Sequence, residues 1–271
     1  MARTTLSVII ITRNEAHNIA GCLQSVAFAD EWIVVDSGSS DATVEIARSF
    51  GAQVTVSDDW PGFGRQKNRA LALAGGDWVL SIDADERLSP ALAEAVRRVV
   101  ADTSARASHA AHDAQAPKMP REPLGYELSR LSSFCGQWMR HGDWYPDRVL
   151  RLFRRGAGRF TDDLVHERLV VDGPTGRLAG DLLHDTMPDL ADALDKMNRY
   201  SSGRAVDRVR SGARGGLGKA LSHGLWAFLR SYLVKRGFLD GRLGFVLALY
   251  IAEGTYYRYL KMGLLAQAAA K

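Results

Sequence analysis

Cysteine is scarce. Cys22 and Cys135 are the only two in 271 residues. They lack the spacing of a metal site or a disulfide framework, and nothing in them argues for an oxidising compartment. Cys22 falls on an apolar helical pattern and reads as a small buried hydrophobe. Long hydrophobic runs are absent too. The longest uncharged apolar stretch near the C-terminus, 243–252, is ten residues, too short to cross a bilayer. The first residues run directly into a predicted strand, so no signal peptide is expected. Gly-x-Gly-x-x-Gly does not follow that strand, which argues against the usual dinucleotide mode. The phosphate-cradling Gly-x-x-x-x-Gly-Lys-Ser/Thr is missing as well.

What is present is an ordinary globular composition, 46% apolar and 24% charged, with a formal net charge of +4. The charge is uneven. Residues 187–271 hold 14 Lys and Arg against 6 Asp and Glu, leaving a mildly acidic remainder. A basic last third suits an anionic surface such as phospholipid or an acidic glycolipid, and by charge alone nucleic acid.

Buried-strand patterns alternate with helical ones over the first hundred residues. Strands are predicted at 6–12, 31–36, 52–57 and 78–83, the first a near-continuous β-branched run. A helix is predicted to open at Arg13-Asn14-Glu15 with Asn14 as N-cap, a second to run to Gly51, a third to span 65–74, and a fourth to start at Ser89-Pro90. Such β-α-β-α-β-α-β alternation implies an α/β fold with a mostly parallel sheet flanked by helices. Ligands then collect at the carboxyl ends of the strands. Those ends are Thr12-Arg13-Asn14, Asp36-Ser37-Gly38, Ser57-Asp58 and Asp83-Ala84-Asp85. They offer carboxylates instead of glycine cradles, so a diphosphate held there needs Mg²⁺ or Mn²⁺. An isolated Asp-x-Asp would equally serve as a solvated turn capping the next helix.

Residues 101–123 show no apolar period and read as a flexible surface insertion, in which His109 and His112 carry no function. Residues 134–155 are dense in aromatics and arginine. Trp144 and Tyr145 could stack on sugar, and Arg148 and Arg151 could pair with phosphate; a core strand with a solvated arginine face would look the same. A last strand is predicted at 178–184, ending in His184. The first domain is placed at 1–186. Residues 187–271 form a basic amphipathic helical appendage, with Leu190, Leu194, Met197 and Tyr200 on one face and Leu225, Phe228, Leu229 and Tyr232 as a second stripe. Apolar faces with tyrosines and flanking cations suit either a membrane interface or a helical hairpin packed on the body.

Four blocks, Ser7–Glu15, Val34–Thr43, Gly64–Ala70 and Asp83–Glu86, resemble family 2 inverting glycosyltransferases of GT-A fold in order and spacing. The stretch Trp144–Arg155, Val165-His166-Glu167 and the region around Gly237–Gly241 are similar to the bacterial lipopolysaccharide-core β-1,4-glucosyltransferase-like group. The 101–123 insertion is outside that pattern. The resemblance implies that Thr12, Arg13, Glu15, Asp36, Ser37 and Gly38 line the nucleotide pocket. Lys67 and Asn68 would face the diphosphate, and Asp83 the ribose or metal. Asp85 would ligate the metal, and His184 is a further candidate, as metal ligand or as base. The family's usual Glu-Asp pair after the Asp-x-Asp is missing. The general base then falls to Glu167, followed by Asp163, with His166 a base, a metal ligand or a structural histidine. The implied activity is transfer of a hexose, glucose from UDP-glucose, to a lipid-linked glycan, by a cytoplasmic protein on the inner membrane face with no nucleic-acid partner. A same-fold transferase acting on a peptide or polyol-phosphate, and a non-catalytic sugar-nucleotide or nucleic-acid binding module, are the rival readings.

Overall fold

The structure is a computed structural model that describes residues 3–110, 122–162 and 167–269. The expected alternation is present: β1 (Leu6–Thr12), α1 (Ile19–Ser25), β2 (Glu31–Asp36), α2 (Thr43–Ser49), β3 (Gln53–Val56), α3 (Phe63–Leu73) and β4 (Trp78–Asp83). There follow β5 (Glu86–Leu88), α4 (Pro90–Ala110), β6 (Gly125–Phe134), β7 (Gln137–Trp138), β8 (Asp147–Arg154), β9 (Gly158–Phe160), β10 (Leu169–Val171) and β11 (Thr175–Met187). The chain ends in α5 (Leu190–Arg210), α6 (Leu217–Leu229) and α7 (Gly241–Ala269). The main sheet runs β3-β2-β1-β4-β8-β6-β11-β5, with β7 paired to β6. β1, β2, β3 and β4 are parallel, and β8 joins β4 antiparallel. β3, β2, β1 and β4 are the parallel, helix-flanked α/β part that the alternation implied, and β8, β5 and β7 add antiparallel pairings.

All seven residues of β1 are buried, as a central strand covered on both faces requires. Alternate side chains point to opposite faces. Val8, Ile10, Val34, Leu80 and Ile82 therefore pack with Ile19, Leu23, Leu92 and Val96 of α1 and α4 on one face. Ile9, Ile11, Ile33, Val35 and Val79 pack with Ala70, Phe153 and Phe160 on the other.

Two compact units emerge, one of residues 1–130 with 148–184, the other of 131–147 with 185–271. In the second unit Phe134, Met139, Met187, Ala193 and Leu247 form a separate core. Asp240 anchors the turn before α7. Its carboxylate accepts from His141 N at 2.8 Å and lies 2.7 Å from His141 Nδ1, and its carbonyl accepts from Gln137 Nε2 at 2.8 Å.

Two expectations need correction. Asn14 does not cap a helix: α1 starts at Ile19, and Asn14 sits in the left-handed region at φ 56°. Residues 101–110 are not an irregular insertion but the end of α4, and 111–121, with His112, lie outside the described residues. Of the apolar stripes in the last third, Leu190, Leu194 and Tyr200 are exposed, while Met197 is buried on α5 with Ala193, Ser201 and Ala205. On α6 the buried positions are Ala220, Gly224 and Ala227, while Leu217, Leu221, Leu225 and Trp226 are each more than half exposed. Small residues let α6 approach α7 closely: a Cβ on Gly224 would lie 3.2 Å from Tyr256 Cβ.

Candidate active site

Strand register builds the rim. Thr12 of β1 pairs with Asp36 of β2, and the preceding Ile11 pairs with Asp83 of β4. Three adjacent parallel strands therefore end together. The β1–α1 and β2–α2 loops are tied to each other there. Asn14 N donates to Ser39 Oγ, Ser40 N to Asn14 Oδ1 and Glu15 N to Thr43 Oγ1, each at 2.8 Å. The Asn14 conformation, accessible to Asn because its short polar side chain bonds locally, allows this crossing. Asp36 is fully buried, and its Oδ1 accepts from Gly38 N at 3.0 Å and Ser39 N at 2.8 Å, while Ser39 Oγ donates to Oδ2. Its carboxylate shapes the turn carrying Ser37 and Gly38, and Gly38 adopts φ 78° there. Gln66 of α3, buried and without an assigned role in the sequence reading, donates to Ser37 Oγ at 3.0 Å. Glu15 accepts from Asn18 Nδ2 at 2.8 Å, and Arg13 is exposed. The buried Thr12 hydroxyl has no hydrogen-bond partner among the described residues.

The first Asp of the Asp-x-Asp lies in a network of charges. Lys67 Nζ, nearly buried on α3, sits 3.1 Å from Asp83 Oδ1 and 3.0 Å from Glu167 Oε1. Arg151 Nη2 lies 2.8 Å from Asp83 Oδ2 and 2.9 Å from Glu86 Oε1. Glu86 Oε2 also accepts from Asp83 N at 2.9 Å. Burial works to raise the Asp83 pKa, but Arg151 and Lys67 outweigh it and hold the carboxyl well below the usual range. Glu86 goes the other way, pushed up by burial and by the Asp83 charge, against the pull of Arg151. Arg151 is buried too; its two carboxylates overcome desolvation and keep it protonated.

Arg151 is therefore not an acceptor-facing arginine, because its guanidinium neutralises Asp83 and Glu86 inside the unit. Asn68 departs from expectation as well. Its Nδ2 donates to Phe160 O at 2.9 Å and its Oδ1 accepts from Phe160 N at 3.0 Å, so it anchors β9 instead of facing a diphosphate. Glu86 is the residue that spacing missed; its only signal was a position next to the Asp-x-Asp.

The second Asp has a different neighbour. Asp85 Oδ2 lies 3.2 Å from His184 Nε2, because β11 pairs with β5 so that His184 stands opposite Glu86. The three expected metal ligands are thus divided, with Asp83 held by cations and Asp85 beside His184. Among the described residues no group of three or more His, Cys, Asp or Glu is arranged to hold a metal ion. The Asp85 carboxylate suits Mn²⁺ or Mg²⁺ if phosphate oxygens and water complete the shell, and the His184 imidazole beside it is the softer donor. Asp163 and His166 lie outside the described residues. In the second unit, Trp144 is half-buried and packs edge-on against Phe134 and Tyr250; Tyr145 is half-buried and Arg148, in the first unit, is exposed.

Gly64 sets how closely the first turn of α3 approaches the segment bearing Glu167. A Cβ there would overlap the Thr161 carbonyl oxygen and lie 3.3 Å from Glu167 Cβ. Gly64→Ala is expected to lower unfolding stability in urea by about 1–3 kcal/mol, the usual cost of overpacking a fixed backbone contact. An unchanged midpoint would show that the segment yields freely.

A model of glycosyl transferase family 2 matches residues 7–157. An uncharacterized glycosyltransferase of Rickettsia prowazekii is 30% identical over 95% of this chain and 86% of its own length. The lipopolysaccharide core biosynthesis glycosyltransferase LpsC of Rhizobium meliloti is 30% identical over 94% of this chain and 93% of its own. Glucosyl-3-phosphoglycerate synthase from Mycobacterium tuberculosis, solved with Mn²⁺, UDP and glucosyl-3-phosphoglycerate, is 31% identical over 36% of this chain and 40% of that one, with a TM-score of 0.32. With the family model spanning more than half of the sequence and relatives aligned over nearly all of it, the chain is a glycosyltransferase and belongs to family 2.

Proposed function

We propose that this glycosyltransferase moves a hexose, glucose from UDP-glucose, with inversion onto a lipid-linked glycan of the lipopolysaccharide-core kind. The observation that carries the reading is the pair of Asp85, in the turn between β4 and β5, with His184 of β11. It offers an oxygen and a nitrogen ligand to a divalent cation, Mg²⁺ or Mn²⁺, in the unit whose parallel strands end together. The bound cation would supply Lewis-acid stabilisation of the departing diphosphate. The chain's own residues do the rest. Thr12, with its unsatisfied buried hydroxyl, binds the nucleotide together with Arg13, Glu15 and the turn at Asp36, Ser37 and Gly38. Asp83 contacts the ribose, and Lys67 adds positive charge beside it. Glu167 accepts the acceptor hydroxyl proton as that oxygen bonds to the anomeric carbon and the bond to the β-phosphate breaks. The LPS-core role of the Rhizobium relative supports the acceptor class.

The test is UDP release by purified protein from UDP-glucose with Mn²⁺ or Mg²⁺ and truncated lipopolysaccharide. Release that requires both metal and acceptor is the expected result. Saturable UDP binding without turnover would redirect the reading to other donors and acceptors.

We further propose attachment to the inner leaflet through α6 and the π-helix Arg230–Val234 that continues it. No helix among the described residues is long and apolar enough to cross a membrane. The large apolar residues Leu217, Leu221, Leu225, Trp226, Leu233 and Val234 nevertheless face solvent in the basic part of the chain. In co-sedimentation with phosphatidylglycerol vesicles, Leu225→Glu/Trp226→Glu is expected to weaken binding about tenfold or more, since two buried apolar side chains are lost and two repelled charges gained. Equal sedimentation of variant and native protein would reject the membrane reading.

A further inference from the structure

The second unit contains a cavity of about 320 Å³ that the reading above does not use. Its walls include Trp144, Tyr200 and Tyr250, and Arg204 and Arg258 line it alongside Asp143. Asp143 is already neutralised: Arg230 donates to its Oδ2 from Nη2 at 2.7 Å and from Nε at 3.1 Å. Neither Arg204 nor Arg258 has an ion-pair partner among the described residues. The cavity therefore carries an excess of positive charge. The half-buried Arg258 guanidinium lies 5.2 Å from the Tyr259 ring centroid. Its pKa is pushed down first by burial, then by repulsion from Arg204 and Arg208, with Tyr259 opposing. A like-charged cluster around a partly buried arginine is costly when empty and is relieved by an anion.

The aromatic side narrows the class. Trp144 stands perpendicular to both Phe134 and Tyr250, at centroid distances of 5.8 and 6.3 Å, so its place beside the cavity is fixed. Tyr200 at the cavity is exposed. Flat aromatic surfaces pack against the C–H faces of pyranose rings, and a guanidinium fork matches a phosphate or carboxylate. A bare phosphate needs no such walls. The volume falls in the range of small-molecule sites.

We propose that this cavity binds a sugar ring bearing a phosphate or carboxylate, the anionic sugar of the acceptor. Identification with the acceptor rests on the glycosyl-transfer reading above; binding of an anionic sugar does not. Arg204 and Arg258 grip the anion, and Trp144, Tyr200 and Tyr250 hold the ring.

The experiment is calorimetric titration of the full chain with glucose 6-phosphate, glucose, inorganic phosphate and phosphatidylglycerol vesicles. Glucose 6-phosphate is expected to bind about tenfold or more tightly than glucose or phosphate, and Arg204→Gln/Arg258→Gln to weaken it about tenfold or more. UDP binding in Mn²⁺ should stay within about twofold of native. Removing a repelled, partly buried charge should not lower the melting temperature, and Arg204→Gln alone, at an exposed position, provides the same test if the double variant melts early. Unchanged glucose 6-phosphate affinity in the variant overturns the proposal. So does phosphate binding as tight as sugar-phosphate binding, which marks a bare anion site, or loss of vesicle binding alone, which marks a lipid headgroup site. Failure of UDP binding in the native protein would count against the glycosyl-transfer reading and leave the sugar-phosphate result standing.

Discussion

Arg151→Met is expected to destabilise the first unit by about 3–5 kcal/mol at neutral pH, the range for removing one partner from a buried ion-pair cluster. The guanidinium lies 2.8 Å from Asp83 and 2.9 Å from Glu86, and Glu86 is fully buried. Methionine fills similar volume, so the loss measures uncompensated charge and not a cavity. Arg130, 3.6 Å from Glu86, and Lys67 beside Asp83 recover only part of it. The pH dependence carries a sign. In the native protein Asp83 has a lowered pKa, so its contribution is present above the unfolded pKa and is lost as pH falls through the lower folded value. Without Arg151 the balance reverses. Burial then raises Asp83, and raises Glu86 further, so the folded variant binds more protons than its unfolded chain. Its deficit relative to native protein should be largest near pH 7 and shrink towards pH 5. Urea unfolding at the two pH values reads this directly. A deficit below about 1 kcal/mol that does not change with pH would mean that the cluster contributes little beyond packing.

That cluster also shows where sequence reading stops. β1, β2 and β4 were legible because central parallel strands are apolar on both faces, and Val8–Ile11, Ile33–Val35 and Val79–Ile82 leave no helical alternative. The strand-end acids followed from topology. Their partners did not. Asp83 and Asp85 differ by two positions, which on a continuing strand would place both on one face. β4 ends at Asp83, however, and the chain turns before β5. One carboxylate thus meets Lys67 and Arg151, the other His184, residues far away in the sequence and invisible to local spacing. The helical errors have local causes. Residues 101–110 lack an apolar stripe but are rich in alanine, the strongest helix former. On α5 and α6 the leucine stripes suited a membrane interface and a packed hairpin alike. Close helix approach selects Ala193, Ala205, Ala220 and Gly224 for the interface and leaves the leucines outside.

Asp85→Ala is expected to lower kcat by about a thousandfold or more, the scale lost when a principal electrostatic stabiliser of the departing group is removed. The fold should not suffer. Asp85 is partly exposed, and the His184 imidazole lies beside it at 3.2 Å. A melting temperature near the native one, with turnover gone, separates chemistry from stability. His184→Ala should cost less, about 10–100-fold, because a carboxylate contributes charge as well as a bond to the cation while a neutral imidazole contributes only the bond. The double variant decides whether they share one task. If both ligate the same ion, Asp85→Ala/His184→Ala should be scarcely worse than Asp85→Ala alone, because groups acting as a unit are strongly non-additive. Both single variants should then also weaken UDP binding in Mn²⁺ while leaving metal-free binding unchanged. Additive losses would assign the two residues separate roles, and full activity in Asp85→Ala would remove the second Asp from the transferase site. The geometry favours the shared task. The register of β11 against β5 sets His184 opposite Glu86, the residue that follows Asp85, so one strand pairing fixes both candidate ligands.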